Sequence, residues 1–261
     1  FIKKLVKNTI FMVSKNQIKL ITSLQQKKFR KQHKLFIAEG VKVIQELIDA
    51  NYKLNDLFTT QNDFSNLKTG KTHAITQADL KKISALTTPN TCLATFSIPE
   101  NIKIELNGLV LALDSVRDPG NLGTIIRLCD WFGIETILCS EETVDVYNPK
   151  VIQATMGSIS RVSIVYCDLE KELKNAEISV FGTFMDGKSI YNESLPKEGI
   201  IVMGNEANGI SSSIEKIVSE RITIPRFGNL QLTESLNVAT ATAIILNEFK
   251  TKRINTIENK K

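Results

Sequence analysis

At 261 residues, 42% apolar and 23% charged, the chain is long enough for two packed domains and too hydrophobic to be a disordered one. Cys92, Cys129, Cys139 and Cys167 are widely spaced and only two histidines are present, which argues against a disulfide framework or a metal site and fits reduced thiols in the cytoplasm. No apolar run reaches the length of a membrane span. The net charge of +5 is uneven, with ten Lys or Arg and no Asp or Glu between Lys3 and Lys34, a bias that suits a nucleic acid partner.

Phe1 to Val13 is basic and apolar but has no small-residue cleavage site. It reads as an upstream extension, not a signal peptide, with Met12 a candidate start. Residues 14–34 read as one basic helix, in which Ile18, Leu20, Ile21, Leu24 and Phe29 recur near helical spacing. Strands over 35–38, 54–59, 72–75 and 93–96 alternate with helices opening at Gly40 and Gln77, a small α/β domain over 14–98. The polar stretch 99–107 is the linker. A second α/β alternation, 108–252, begins with the buried-type strand 109–113 and a helix capped by Asn121. Strands over 135–139, 162–166 and 178–183 follow, with helices over 149–156 and 168–176 between them. An apolar run ending at Gly204, a strand over 221–225 and a helix from 235 to about 251 complete it. Residues 253–261 are a basic tail. The last helix is apolar on more than one side, wider than one small domain is expected to cover, which predicts a homodimer.

Three segments place glycine and polar residues at strand ends, where backbone can press against a flat ligand. The first runs from Leu113 through Asp118-Pro119-Gly120-Asn121 to Arg127; the second is Met203-Gly204-Asn205-Glu206 through Gly209; the third runs from Ile224-Pro225 to Ser235-Leu236-Asn237. Each alone is an ordinary strand-turn-helix. None is a P-loop or the dinucleotide glycine fingerprint, which removes a nucleotide-dependent oxidoreductase. In this order and spacing they resemble the three motifs of the SpoU family, the 2′-O-ribose RNA methyltransferases of the SPOUT class. Asn121, Gly123 and Arg127 match the first motif, Gly204, Glu206 and Gly209 the second, and Ile224, Pro225, Gly228 and Ser235 to Val238 the third. Phe36 to Gly40 matches a Phe-x-x-Glu-Gly pattern of the family's smaller domain. The nine residues 226–234 make the third loop longer than in many relatives.

The resemblance implies a C-terminal methyltransferase domain with a parallel sheet and a trefoil knot. It also implies a smaller N-terminal α/β domain, ribosomal-protein L30e-like, that binds the RNA substrate. The cofactor implied is S-adenosylmethionine, with no metal, against Thr183, Met203, Gly204, Gly209, Ile224 and Leu236. Arg127, Asn121, Glu206, Ser235 and Asn237 are implied at the catalytic centre, with Glu206 orienting Arg127. A guanidinium keeps its proton, so Arg127 is expected to hold a phosphate and stabilise developing alkoxide. Lys27, Lys28, Arg30, Lys31 and Lys34 would grip ribosomal or transfer RNA through its phosphates. The rival reading is a non-catalytic RNA-binding protein that keeps the fold; the presence of both Arg127 and Asn237 favours the enzyme.

Overall fold

The computed structural model describes residues 12–61, 64, 71–100, 104, 106–230, 232 and 234–258, the side chains of 252–258 excepted. Most of the upstream extension, several linker residues and the end of the basic tail therefore lie outside the described residues. Backbone contacts divide the chain into two units, Phe1–Glu100 with Tyr147–Ser160, and Asn101–Val146 with Arg161–Lys261.

In the first unit, Ser14 opens α1 (Lys15–Ser23) with a capping box, its hydroxyl accepting from Gln17 N–H at 3.2 Å while Gln17 Oε1 accepts from Ser14 N–H at 3.0 Å. The expected single basic helix is in fact two, because the chain turns after Leu24 and α2 (Lys27–His33) starts afresh. Arg30 explains the break. Its side chain is only 2% exposed, and Nη1 donates to the Leu24 carbonyl at 2.8 Å, satisfying a helix end that α1 cannot satisfy itself. Arg30 is thereby removed from the phosphate-gripping set; Lys27, Lys28, Lys31 and Lys34 are exposed as expected.

The strands β1 (Leu35–Glu39), β2 (Leu54–Thr59), β3 (Lys71–Ala74) and β4 (Cys92–Ser97) form a sheet in the order β1-β4-β2-β3. It is antiparallel except for the β2–β3 pair. The helices α1 and α4 (Gln77–Ile83) pack around a core of Ile21, Leu24, Ile37, Phe58, Leu80 and Leu93, while α3 (Val41–Asp49) packs on β1 and β4. Buried Glu39 ties the end of β1 to the chain after α4, accepting from Ser84 Oγ at 2.6 Å and Ala85 N–H at 2.8 Å.

The second unit is built on a six-stranded sheet. Its strands are β5 (Leu109–Leu113), β6 (Thr136–Cys139), β7 (Ser163–Tyr166), β8 (Val180–Ser189), β9 (Gly199–Met203) and β10 (Glu220–Thr223). All pairs are parallel, in the order β10-β8-β9-β5-β6-β7. β5 and β9 are buried along their whole length, which is why both read as unbroken apolar runs. The crossover helices include α5 (Pro119–Phe132), α7 (Leu169–Asn175) and the short α8 (Ser212–Glu215); α6 (Pro149–Thr155), between β6 and β7 in sequence, packs with the first unit.

The closing helix α9 (Val238–Glu258) begins three residues later than expected and packs on α5. Val238, Ala239, Ile245, Leu246 and Phe249 are all buried within this one chain. Among the described side chains of the same helix, Ala241, Ala243 and Ile244 are half-buried, so its own unit covers only part of its apolar face. Lys250 Nζ donates to Gly133 O at 3.3 Å, fastening α9 to the end of α5.

Candidate active site

The strand order places the site. β5 leads through α5 to β6 on one side, whereas β9 leads through α8 to β10 on the other. Neighbouring parallel strands whose connections diverge leave a crevice beyond their carboxyl ends. β5 and β9 finish level, with Leu113 opposite Met203 and Asp114 N–H donating to Met203 O at 2.9 Å.

The two loops leaving these strands are sewn together. Buried Asp114 accepts from Ser211 N–H at 2.7 Å and from the Ser115 hydroxyl at 3.3 Å. Asn205 Nδ2 donates to Ser115 O at 2.6 Å, while its Oδ1 accepts from Ala207 and Asn208 N–H. The loop 205–209 closes on itself through reciprocal Asn205 and Gly209 backbone bonds of 2.9 Å. Glycine is required at both ends for different reasons. Gly209 has φ +68, and a Cβ at Gly204 would lie 2.3 Å from the Gly209 carbonyl carbon.

α5 starts one turn earlier than an Asn121 cap requires. Asp118 is the cap, accepting from Asn121 N–H at 2.8 Å, and Pro119 takes the first helical position. The Asn121 side chain is thus free for other partners. Asn237 caps α9, with Oδ1 accepting from Ala239 N–H at 3.0 Å and Thr240 N–H at 3.1 Å. That fixes its amide so that Nδ2 donates to Asn121 Oδ1 at 2.9 Å. Asn121 Nδ2 must then face an acceptor, and it donates to Glu206 Oε1 at 2.9 Å. One polarised chain therefore runs Asn237 to Asn121 to Glu206, joining three segments far apart in sequence. The other Glu206 oxygen lies 3.5 Å from Arg117 N.

Arg127 does not join this chain. It is exposed, six residues beyond Asn121, which on an α-helix is about 120° around the axis and about 9 Å along it. Within the chain Glu206 holds Asn121 and not Arg127, a correction to the expected role. On the Arg127 side of α5, four residues on, stands Trp131, 84% exposed.

Of the other expected positions, Thr183 is not at a strand end, since β8 continues to Ser189. It is where β8 parts from β9, and its hydroxyl donates to Val202 O at 3.0 Å. Met203 is buried, Ile224 half-buried, Ser235 exposed and Leu236 49% exposed. Arg226 Nη2 donates to Glu234 O at 3.1 Å, bridging the long third loop. Asp114 and Asn205 were missed; a carboxylate ending a wholly apolar strand was the available signal for the first. Among the described residues no group of three or more His, Cys, Asp or Glu could hold a metal, and no helix is long and apolar enough to cross a membrane. Cys92, Cys129, Cys139 and Cys167 are not in disulfides. Burial raises the pKa of Cys129 and Cys139 strongly and that of Cys167 to about 11, so none of these three is a ready nucleophile.

A parallel sheet of this order, with three polar loops joined by side-chain amides at its switch point, defines an α/β protein of the SPOUT methyltransferase class. The chain belongs to the SpoU rRNA methylase family, whose sequence profile matches residues 108–247. The profile of an MRM3-like substrate binding domain matches residues 15–94. A Bacillus subtilis relative, the 23S rRNA (guanosine(2553)-2′-O)-methyltransferase RlmP, is 29% identical over 89% of this chain and 96% of its own length. A TrmH-family protein of Porphyromonas gingivalis is similar in structure at 37% identity, with a TM-score of 0.86 over 93% of this chain and 100% of that one. An rRNA methyltransferase of Sinorhizobium meliloti, solved with S-adenosylmethionine bound, is 28% identical, with a TM-score of 0.80 over 93% of this chain and 98% of that one.

Proposed function

We propose that this chain transfers a methyl group from S-adenosylmethionine to a ribose 2′-hydroxyl of ribosomal or transfer RNA. The observation that carries this reading is the Asn237–Asn121–Glu206 chain, which joins all three SpoU motifs at the mouth of the switch-point crevice.

The residues present fit the donor. Gly209 has open space where a side chain would stand, half-buried Ile224 and half-exposed Leu236 offer apolar walls, and Thr183 keeps acceptor capacity after its bond to Val202. With Met203 and Gly204 these are the proposed cofactor contacts. When bound, S-adenosylmethionine would supply an electrophilic methyl on a sulfonium, which leaves as a neutral thioether and needs no metal to activate it.

The chain's own residues supply position and charge. Asn121 is held by a donor on one side and an acceptor on the other, so its amide cannot rotate, and a ribose hydroxyl beside it meets a fixed partner. Ser235 offers a second hydroxyl contact from the third loop. Arg127 is proposed to hold a phosphate and to stabilise negative charge developing on the ribose oxygen. Because Arg127 points away from Asn121 in one protomer, and Trp131 beside it is exposed, we propose a homodimer in which Arg127 completes the partner's site.

The finer fold and domain roles belong to the same proposal. The return of the chain from β10 at the sheet edge to Asn121 and α5 supports a trefoil knot over 108–252. The mixed four-stranded sheet supports an L30e-like RNA-binding domain over 14–98. Cysteines outside disulfides fit the cytoplasm.

Transfer of labelled methyl to RNA from a strain lacking this protein, with chelator present, tests the function. Label recovered as 2′-O-methylnucleoside is the expected result. RNA binding without transfer would return the non-catalytic reading, and activity lost with chelator would overturn the metal-free one.

The basic helix pair gives a separate test. Reversing Lys28 and Lys31 to Glu is expected to lower the slope of RNA affinity against salt by about 1 per lost phosphate contact. Arg30→Ala should leave that slope alone and instead destabilise the fold by about 2 kcal/mol, through loss of a buried charged hydrogen bond. Salt-series binding and thermal denaturation measure the two, and an Arg30→Ala protein of native stability would contradict the assignment.

A further inference from the structure

The surface of the third loop carries an aromatic pair that neither the motifs nor the amide chain uses. Phe227 is 81% exposed and Tyr191 40% exposed, their ring centroids 6.1 Å apart at a tilt of 37°. The two come from different segments held side by side, because Ile190 N–H donates to Thr223 O at 3.0 Å and so sets Tyr191 next to the start of the loop. The loop is braced by Arg226, and between Thr223 and Thr233 its only charged residue is that arginine.

Leaving a phenylalanine in water forfeits on the order of 2 kcal/mol of burial, and Phe227 shares its loop with exposed Leu230 and Leu232, next to the Arg226–Glu234 bond that precedes Asn237, so the cluster points to a partner. Asn121, Glu206, Asn237 and Ser235 offer hydrogen bonds but no stacking surface. Unpaired bases in RNA are recognised largely by stacking on aromatic rings, and a ring this exposed, with Tyr191 tilted against it, leaves a face open to a planar partner. We infer that Phe227, backed by Tyr191, is a stacking platform for an unpaired base of the RNA substrate at the mouth of the active site. This rests on RNA being the substrate, as proposed above. It adds a recognition element outside the three motifs.

Alanine, leucine and tryptophan at Phe227 separate stacking from apolar area. Phe227→Ala and Phe227→Leu are expected to raise KM for RNA roughly 5- to 100-fold, the range of one lost base stack, while Phe227→Trp stays near the native value. S-adenosylmethionine affinity by calorimetry and mass by sedimentation should not change. Rescue by leucine as complete as by tryptophan would overturn the platform. Weakened cofactor binding would assign the ring to the donor instead, and an altered mass would assign it to a subunit interface; either result overturns the inference.

A second arm does not need methyl transfer. Trp131 is the sole tryptophan, so a Trp131→Phe, Phe227→Trp protein reports from the loop alone. Its emission should be quenched by a short single-stranded oligoribonucleotide and not by the same sequence in a duplex. An unquenched signal overturns the platform. Absence of methyl transfer by the native protein, with quenching intact, would strike the proposed reaction and leave the platform standing.

Discussion

Arg127→Ala is expected to lower kcat for RNA methylation roughly 10²- to 10³-fold, the usual consequence of removing a donor aimed at a developing oxyanion. Affinity for S-adenosylmethionine should be nearly unchanged, because Arg127 lies about 120° around α5 from Asn121 and is not among the proposed cofactor contacts. The same geometry makes a sharper forecast about assembly. Asn237→Ala should also be inactive, since it removes the donor that locks Asn121. If Arg127 serves the partner's site, a heterodimer of the two single variants contains one intact site and one doubly damaged site. Co-expression with two purification tags yields that species, and it should recover activity. A silent heterodimer with normal folding and cofactor binding would mean that both residues act within one protomer.

The second large effect is expected at Gly204. An alanine Cβ there would sit 2.3 Å from the Gly209 carbonyl carbon and 2.4 Å from the Ile210 nitrogen, both backbone atoms that cannot rotate aside. The closed loop 205–209 must therefore move bodily, at a cost of about 1–3 kcal/mol for an overpacked site. Glu206 would then lose its register with Asn121. Gly204→Ala should abolish detectable cofactor binding and transfer, and lower the unfolding temperature. Native calorimetric affinity in this variant would show that the loop position is not what shapes the site. Gly209→Ala tests a different strain, since its Cβ has open space but its φ is +68; its effect should be the smaller of the two.

These two positions also show where sequence reasoning reaches and where it stops. β5 and β9 are legible because a strand buried on both faces is a continuous apolar run, and the glycine that ends β9 marks a loop. That Gly204 is obligatory was not legible, because the atom it avoids belongs to a residue whose approach depends on the closed turn. The start of α5 was misread by one turn. Asp118 and Asn121 are both good caps, and Pro119 in the first helical position was the overlooked discriminator.

Longer-range effects were harder still. Arg30 lies in a run of lysines and reads as solvated charge, yet its reach to the Leu24 carbonyl exists only because the basic segment folds back as two helices. Asn237 is legible as a polar residue beside an apolar helix, but its partner is 116 positions away and no spacing rule reaches it. The family resemblance brought Asn121, Glu206 and Asn237 into one group. The polarity of their hydrogen bonds, and the separation of Arg127 from them, came only from the coordinates. The apolar face on α9 is accounted for in part. Val238, Ile245, Leu246 and Phe249 are covered within the chain while Ile244 is half-buried, and strongly exposed apolar side chains stand at Trp131 and along the third loop.

The central claim, methyl transfer to a ribose oxygen of RNA, is tested most directly by mass-spectrometric mapping of ribosomal and transfer RNA from a strain lacking this protein. The account predicts that a 2′-O-methyl group is lost at a defined nucleotide, restored by the native protein and not by Arg127→Ala. An unchanged ribose methylation map, or loss of a methyl group from a base instead of a ribose, would contradict it.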